Sequence, residues 1–221
     1  MNDNDWGLDL VEEKSKYTSL LALVLDSSGS MNVVRNDVIG ALNAYLTMQK
    51  EAGDDMLFTL VTFSNTPRTL LHNVPIAEAP TFTEKSYVPS GSTALFDTIA
   101  HTVKEVEGEL KRLKMPSLPV TLVINTDGEE NASVLSHTMI DPLGYIKRLL
   151  EKKQGEGWTI VYMSADANGF QAGASYGIPV TNIFQYDPTK IYGTIMMAAA
   201  AQVNHRVTIR NGTSTNAEYF S

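Results

Sequence analysis

The sequence predicts an α/β fold with three layers, in which helices cover both faces of a mostly parallel central sheet and one antiparallel strand lies at its edge. Three continuous apolar runs have the length of strands buried on both faces: residues 18–25 (TSLLALVL), 56–63 (MLFTLVTF) and 119–125 (PVTLVIN). Segments with apolar residues at every third or fourth position alternate with such runs along the chain. This alternation of buried strands and amphipathic helices is typical of parallel sheets.

The other predicted strands are shorter or less apolar. Residues 69–74 follow the turn-like sequence at 65–67 (NTP), and we predict an edge hairpin there. Residues 158–164 (WTIVYMS) and 181–184 are predicted to be the last strands. In sheets of this kind, ligands bind beyond the carboxyl ends of the strands, where the loops gather.

The clearest helix in the sequence covers residues 95–113, where apolar side chains recur at helical spacing. Ser92 or Thr93 precedes this helix, and either side chain can cap its first turn. Residues 34–49 carry a second helical pattern, and Gly53 is placed to close it.

The remaining helices are predicted from Asp-Pro starts or short apolar patterns, at residues 141–153, 170–176 and 187–203. We predict a single domain over residues 17–206, with a polar extension at 1–16 and a polar tail at 207–221.

The composition excludes several classes of protein. A net charge of −8 argues against a nucleic-acid binder, which presents a basic stripe to the phosphates. Because the sequence has no cysteine, disulfides, zinc–thiolate sites and thiol nucleophiles are excluded. No apolar stretch approaches the roughly 20 residues of a membrane span, and the start of the chain lacks a signal-peptide pattern. We therefore expect a cytoplasmic protein without nucleic-acid or membrane partners, and the sequence leaves its oligomeric state open.

Three polar clusters lie where predicted strands end or a helix begins. Residues 26–30 (DSSGS) follow the first strand, residues 127–131 (DGEEN) come after the strand at 119–125, and residues 91–93 (GST) precede the clearest helix. A parallel sheet brings these junctions to one edge. Hydroxyl and carboxylate oxygens are the ligands that Mg²⁺, Mn²⁺ and Ca²⁺ prefer. The clusters therefore predict a cage of oxygens, supplied by three loops, for a divalent cation.

The candidate ligands are five side chains. Asp26, Ser28 and Ser30 project from one tight loop, and Thr93 and Asp127 would complete the cage. The pattern D-x-S-x-S after a buried strand, G-S-T before a helix and T-D-G after a later strand resembles the metal-ion-dependent adhesion site of von Willebrand factor type A domains. All five site positions are filled, and the order of strands and helices agrees over nearly the whole chain.

The resemblance implies a Rossmann-like three-layer fold and a metal-dependent protein–protein interaction module. It also implies that Ser28, Ser30 and Thr93 contact the metal through their hydroxyls, whereas Asp26 and Asp127 often act through water. Mg²⁺ is the expected cofactor, with Mn²⁺ or Ca²⁺ as alternatives. Because its nearest ligands are neutral, the metal stays electrophilic and favours a carboxylate. The implied partner is a protein that offers a Glu or Asp, and the chain would act as an adaptor or as a subunit of a larger assembly.

Simpler roles remain open for some of these residues. The loop that starts at Asp26 could cap a helix instead of holding a metal. Glu129 and Glu130 are expected to be solvated loop acids, although they could modulate the rim of the site. Asp97 is expected to have a structural role, because its charge favours the positive end of its own helix.

Two other functions are open as alternatives. A Mg²⁺-dependent phosphohydrolase also places an Asp after its first buried strand, but it requires a second acid two residues later, where this sequence has Ser28. The G-x-S-x-G, Walker A and G-x-G-x-x-G patterns are absent. We therefore expect no enzymatic activity. The other alternative is a structural scaffold without metal-dependent binding.

Overall fold

The computed structural model describes residues 16–53, 55–211 and 219–220, and a six-stranded sheet with the order β3-β2-β1-β4-β5-β6 lies at its centre. The neighbours of β1, β4 and β5 are all parallel, and only β3 runs antiparallel, at the edge beside β2. The prediction of a mostly parallel sheet with one antiparallel edge strand is therefore confirmed. The strands are β1 (Ser19–Asp26), β2 (Met56–Phe63), β3 (Pro67–Pro75), β4 (Val120–Thr126), β5 (Thr159–Ser164) and β6 (Ile183–Gln185).

Helices cover both faces of this sheet and give the predicted three layers. Residues of β1 alternate between two apolar clusters: Leu21 faces α1 and α6, whereas Leu20 faces α2 and α4. Every residue of β1 is buried, which explains its continuous apolar sequence. The helices are α1 (Arg35–Glu51), α2 (Leu95–Arg112), α3 (Val134–Thr138), α4 (Pro142–Gly155), α5 (Gly169–Ser175) and α6 (Ile191–Arg210).

The strand register brings the ends of the central strands to one level. Asp26, the last residue of β1, pairs with Phe63, the last residue of β2. On the other side of β1, Leu25 pairs with Asn125, one residue before the end of β4. The polar loops that follow β1 and β4 therefore leave the sheet side by side.

The structure differs from the sequence prediction at several elements. Helix α3 was not predicted, and the last strand begins at Ile183, after a single 3₁₀ turn. Helix α6 continues to Arg210, beyond the predicted domain end at residue 206. Tyr219, predicted to lie in a polar tail, is only 3% exposed, and its hydroxyl donates to the carbonyl oxygen of Ala198 at 3.1 Å. The predicted N-terminal extension, apart from residue 16, lies outside the described residues.

A buried ion pair fixes α6 at the amino end of the sheet. The guanidinium of Arg206, which is 1% exposed, donates to Asp55 Oδ1 at 2.7 Å and to the carbonyl oxygen of Gln49 at 2.8 Å. Burial raises the pKa of the Asp55 carboxyl, but hydrogen bonds from Arg210, Thr18 and Arg206 outweigh burial and hold this pKa well below its ordinary value. This network joins α6 to the start of β2.

Within the described part of the chain, no helix is both long enough and apolar enough to cross a membrane.

Candidate metal centre

Backbone hydrogen bonds tie the three predicted loops together at the carboxyl edge of the sheet. The amide of Gly29 donates to the carbonyl oxygen of Gly91 at 3.0 Å, and the amide of Ser90 donates to Ser27 at 2.8 Å. The amide of Asn131 donates to the carbonyl oxygen of Thr93 at 3.0 Å. The prediction that the three polar clusters meet at one edge is therefore confirmed.

Three side-chain oxygens from two of these loops form a compact cluster. Ser28 Oγ and Ser30 Oγ lie 3.0 Å apart, and the Ser30 hydroxyl donates to Asp127 Oδ1 at 3.0 Å. Ser28 Oγ lies 3.5 Å from the same carboxylate oxygen. Ser28 is 2% exposed, whereas Ser30 is exposed, so the cluster opens to solvent on the Ser30 side.

Asp26 supports this cluster from below. Its carboxylate is fully buried and accepts hydrogen bonds from the Ser28 amide at 2.7 Å and from Thr126 Oγ1 at 2.6 Å. Burial raises the pKa of the Asp26 carboxyl, the hydrogen bonds from Thr126 and Ser28 lower it, and the charge of Asp127 raises it, with a net increase. The Tyr87 hydroxyl donates to the Asp26 carbonyl oxygen at 2.6 Å. Asp26 therefore orients the serine loop through the Ser28 amide.

Thr93 faces the loop that carries Asp127. It is 4% exposed, and its amide donates to Asn131 Oδ1 at 2.8 Å. A Cβ atom placed on Gly128 would lie 3.8 Å from Thr93 Oγ1, so the hydroxyl packs directly against the residue after Asp127. The structure thus brings Thr93 next to the residue that follows Asp127, and no hydrogen bond joins its hydroxyl to the three described oxygens.

The prediction that Ser92 or Thr93 caps α2 is wrong. The residue before α2 is Ala94, and no side chain of that residue caps the helix. The free amides of the first turn bond instead to the loop after β4: Phe96 donates to Glu130 Oε2 at 2.9 Å, and Asp97 donates to Ser133 Oγ at 3.1 Å. Thr93 is therefore not needed as a cap.

Glu130 is a residue whose role the sequence prediction missed. Its carboxylate accepts five hydrogen bonds, from the amides of Phe96, Ala132 and Ser133 and from the hydroxyls of Ser133 and Ser136. It thereby joins the first turn of α2 to the loop that carries Asp127. The expectation of a solvated loop acid was wrong for Glu130, whereas Glu129 is exposed. Nothing in the sequence distinguishes these adjacent acids, because only the path of the folded loop turns one of them inward.

Asp97 has the structural role that was predicted for it, but at another helix. Its carboxylate accepts from the amides of Val134 and Leu135 at 2.7 and 3.0 Å, and so caps α3. Together with Glu130, it holds the loop after β4 against the start of α2.

The donor set of the cluster fits a small divalent cation. A metal with oxygen ligands at about 2.1 Å in octahedral geometry separates adjacent ligand oxygens by about 3.0 Å, which is √2 times the bond length. The 3.0 Å between Ser28 Oγ and Ser30 Oγ matches this separation, and Asp127 Oδ1 lies 3.0 Å from Ser30 Oγ and 3.5 Å from Ser28 Oγ. Among the described residues, no group of three or more His, Cys, Asp or Glu side chains could hold a metal. Any metal bound here would therefore depend on hydroxyl oxygens as well as on carboxylates.

Comparisons with known proteins support the fold. No protein-family model and no curated protein matches the sequence. Solved structures that match include a von Willebrand factor type A protein from Catenulispora acidiphila, with 14% identity and a TM-score of 0.57 over 85% of this chain and 43% of that chain. The pilus adhesin SpaC from Lactobacillus rhamnosus GG matches with 12% identity and a TM-score of 0.65, over 86% of this chain and 30% of that chain.

A third match is proximal thread matrix protein 1 from the mussel byssus, whose metal-ion-dependent adhesion site (MIDAS) motif is occupied by zinc. It has 15% identity and a TM-score of 0.55, over 85% of this chain and 46% of that chain. The chain thus spans less than half the length of each of these three proteins. At such identities the similarity concerns the fold alone, and the chain has a von Willebrand factor type A-like fold.

Proposed function

We propose that the chain is a metal-dependent protein–protein interaction module. In this proposal Ser28, Ser30 and Thr93 hold a divalent cation through their hydroxyls, and Asp26 and Asp127 act through water or by orienting the serines. Mg²⁺ is the proposed cation, with Mn²⁺ and Ca²⁺ as alternatives. A partner protein supplies a Glu or Asp carboxylate to the cation, and the chain serves as a cytoplasmic adaptor or as a subunit of a larger assembly.

The observation that carries the proposal is the spacing of the three oxygens. Ser28 and Ser30 share one loop and Asp127 follows 97 or more residues later, yet the three oxygens lie 3.0 to 3.5 Å from one another. The cluster also opens to solvent beside Ser30, where a partner could reach it. Similarity in fold to an adhesin and to a protein with a zinc-occupied MIDAS motif supports the same reading.

Charge favours a carboxylate as the partner's ligand. Two of the five candidate ligands are carboxylates. Asp26 is buried beneath the serine loop, and Asp127 is the one whose oxygen lies among the clustered hydroxyls. A divalent cation held mainly by neutral hydroxyls keeps a net positive charge, and it attracts an anionic oxygen from outside.

The proposal includes no catalysis at this site. A phosphohydrolase that uses an Asp after its first buried strand needs a second acid two residues later, and Ser28 is there instead. Two histidines that could serve as bases are engaged elsewhere: His101 bonds to Thr69, and His205 bonds to Thr159.

Affinity capture tests the proposal. Immobilised wild-type chain would be exposed to a lysate of the source organism in Mg²⁺ or in chelator, beside Ser28→Ala and Ser30→Ala variants. We expect a specific protein to be retained only by the wild type in Mg²⁺, and to be lost when its own surface acid at the contact is replaced by the amide. Retention that is equal in chelator and in both variants would refute the proposal and favour a scaffold.

A further inference from the structure

An apolar groove opens beside the oxygen cluster. It has a volume of about 220 Å³ and lies between the connection that follows β1 and the connection from β6 to α6. Ser30 and Asp127 line the groove and also belong to the oxygen cluster, so the two features are continuous. The other lining side chains are mostly apolar and include Met31, Val33, Val34, Tyr186, Pro188 and Ile191.

The floor of the groove is fixed, whereas one rim is open. Met31 and Ile191 are 0% and 1% exposed, and the hydroxyl of buried Tyr186 bonds to the side chain of Asn125. Val33 on the rim is 91% exposed. A single exposed valine is common on protein surfaces. An exposed valine at the rim of an apolar groove, next to a cluster of polar groups, is typical of an interaction site.

We propose that this groove binds a large aliphatic side chain adjacent to the acidic residue that the partner presents to the oxygen cluster. The inference rests on the proposed function and specifies the partner: a protein segment in which a Glu or Asp is flanked by Leu, Ile or a residue of similar size. Small-molecule pockets generally exceed about 300 Å³, so a groove of this size suits a side chain better than a separate ligand.

The two parts of the site would reinforce each other. An aliphatic side chain in the groove excludes water from the flank of the cluster, and the attraction between a cation and a carboxylate increases as the local dielectric falls. Burial of one such side chain is expected to tighten binding by about tenfold or more.

Three tripeptides with blocked ends separate the two contributions: Leu-Glu-Leu, Gly-Glu-Gly and Leu-Gln-Leu. Each would be titrated into the full chain in Mg²⁺ and in chelator, while NMR follows the methyl signals of Val33 and Ile191. The variant Val33→Ser tests the groove. Val180→Ser is the matched control, because Val180 is 60% exposed and lies near the amino end of β6, away from the cluster.

We expect Leu-Glu-Leu to bind in Mg²⁺ at least about tenfold more tightly than Gly-Glu-Gly and to shift both methyl signals. Val33→Ser should bring the affinity ratio of these two peptides close to one, and Val180→Ser should leave the ratio unchanged. Leu-Gln-Leu should bind much more weakly than Leu-Glu-Leu.

Each other outcome overturns the inference in a recognisable way. Equal affinity for Leu-Glu-Leu and Gly-Glu-Gly in Mg²⁺ would show that the groove does not bind an aliphatic side chain, and would leave the proposed function intact. Equal binding of Leu-Glu-Leu and Leu-Gln-Leu, or binding that survives chelator, would contradict both. Absence of any peptide binding at about 10 mM would overturn the groove inference. A Mg²⁺-dependent dimer that Val33→Ser abolishes would show that a second copy of the chain occupies the groove instead.

Discussion

Replacement of Glu130 by Gln tests whether this carboxylate organises the edge of the sheet that carries the oxygen cluster. Oε2 accepts from the Phe96 amide and the Ser133 hydroxyl, and Oε1 accepts from the amides of Ala132 and Ser133 and from the Ser136 hydroxyl. In Gln, one of these oxygens becomes an NH₂ group. A serine hydroxyl can turn and accept from this NH₂ group, but a backbone amide cannot, so in the better orientation the Phe96 amide still faces another donor and loses its acceptor.

The expected cost follows from these contacts. The unpaired Phe96 amide, together with the loss of negative charge from the four remaining hydrogen bonds, costs about 2–4 kcal/mol of unfolding free energy. For a domain of this size, that corresponds to a decrease in melting temperature of roughly 4–16 °C. Mg²⁺ affinity should also fall, because Glu130 joins the segment that follows Thr93 to the loop that carries Asp127.

Urea denaturation of the wild type and both variants, in chelator, measures this cost. Glu129→Gln is the matched control, since Glu129 is exposed and accepts a 3.3 Å hydrogen bond from the exposed side chain of Asn168. That variant should lie within about 0.5 kcal/mol of the wild type. If Glu130→Gln is no less stable than Glu129→Gln, the role assigned to Glu130 is wrong.

Three further predictions concern the support of the fold. Asp55→Asn should reduce stability by about 3 kcal/mol at neutral pH, because Arg206 is left buried without its anionic partner. The folded-state pKa of Asp55 lies below its ordinary value, so the wild type's advantage is complete above about pH 5 and is lost as the pH falls further; urea titrations at several pH values measure it. Tyr219→Ala should cost about 3 kcal/mol in thermal denaturation, since a 3%-exposed aromatic ring is removed. Gly91→Ala should destabilise the loop by about 1–2 kcal/mol and weaken Mg²⁺ binding in calorimetry, because Gly91 has φ +75° and a Cβ there would lie 2.7 Å from Asn65 Oδ1.

Distinct results would contradict these three predictions. A constant stability difference between wild type and Asp55→Asn from pH 7 to about pH 2 would exclude the ion pair as its cause. An unchanged melting temperature for Tyr219→Ala would mean that this residue does not pack against the core in solution. An unaltered Mg²⁺ affinity for Gly91→Ala would separate that loop from the metal site.

The order of the elements could be predicted because burial determines the sequence pattern directly. β1, β2 and β4 are buried on both faces and contain no residue that breaks a strand, so their runs identify them. Helix α3 has five residues, none of them buried, and such a short segment carries no periodic signal. The burial of Tyr219 could not be predicted, since it depends on contacts with α6 across a polar segment.

The candidate site could be located because loops at the carboxyl ends of parallel strands converge. The meeting of the loops that contain Ser28, Thr93 and Asp127 follows from topology and local composition. The role of Glu130 does not follow from either, because it depends on the amides of α2 that its carboxylate reaches. The sequence therefore predicted that the loops carrying the candidate ligands meet, but not that Glu130 holds these loops together.

Calorimetric titration of Mg²⁺ into chelator-treated protein tests the central claim most directly. Wild type would be compared with Asp127→Ala and Thr93→Ala at the site, and with Glu129→Gln as a control outside the oxygen cluster. The proposed site predicts saturable binding to one site in the wild type and in the control, and a large loss of affinity in both site variants. Binding that is equally strong in all four proteins would contradict the account, because the metal would then lie elsewhere on the chain.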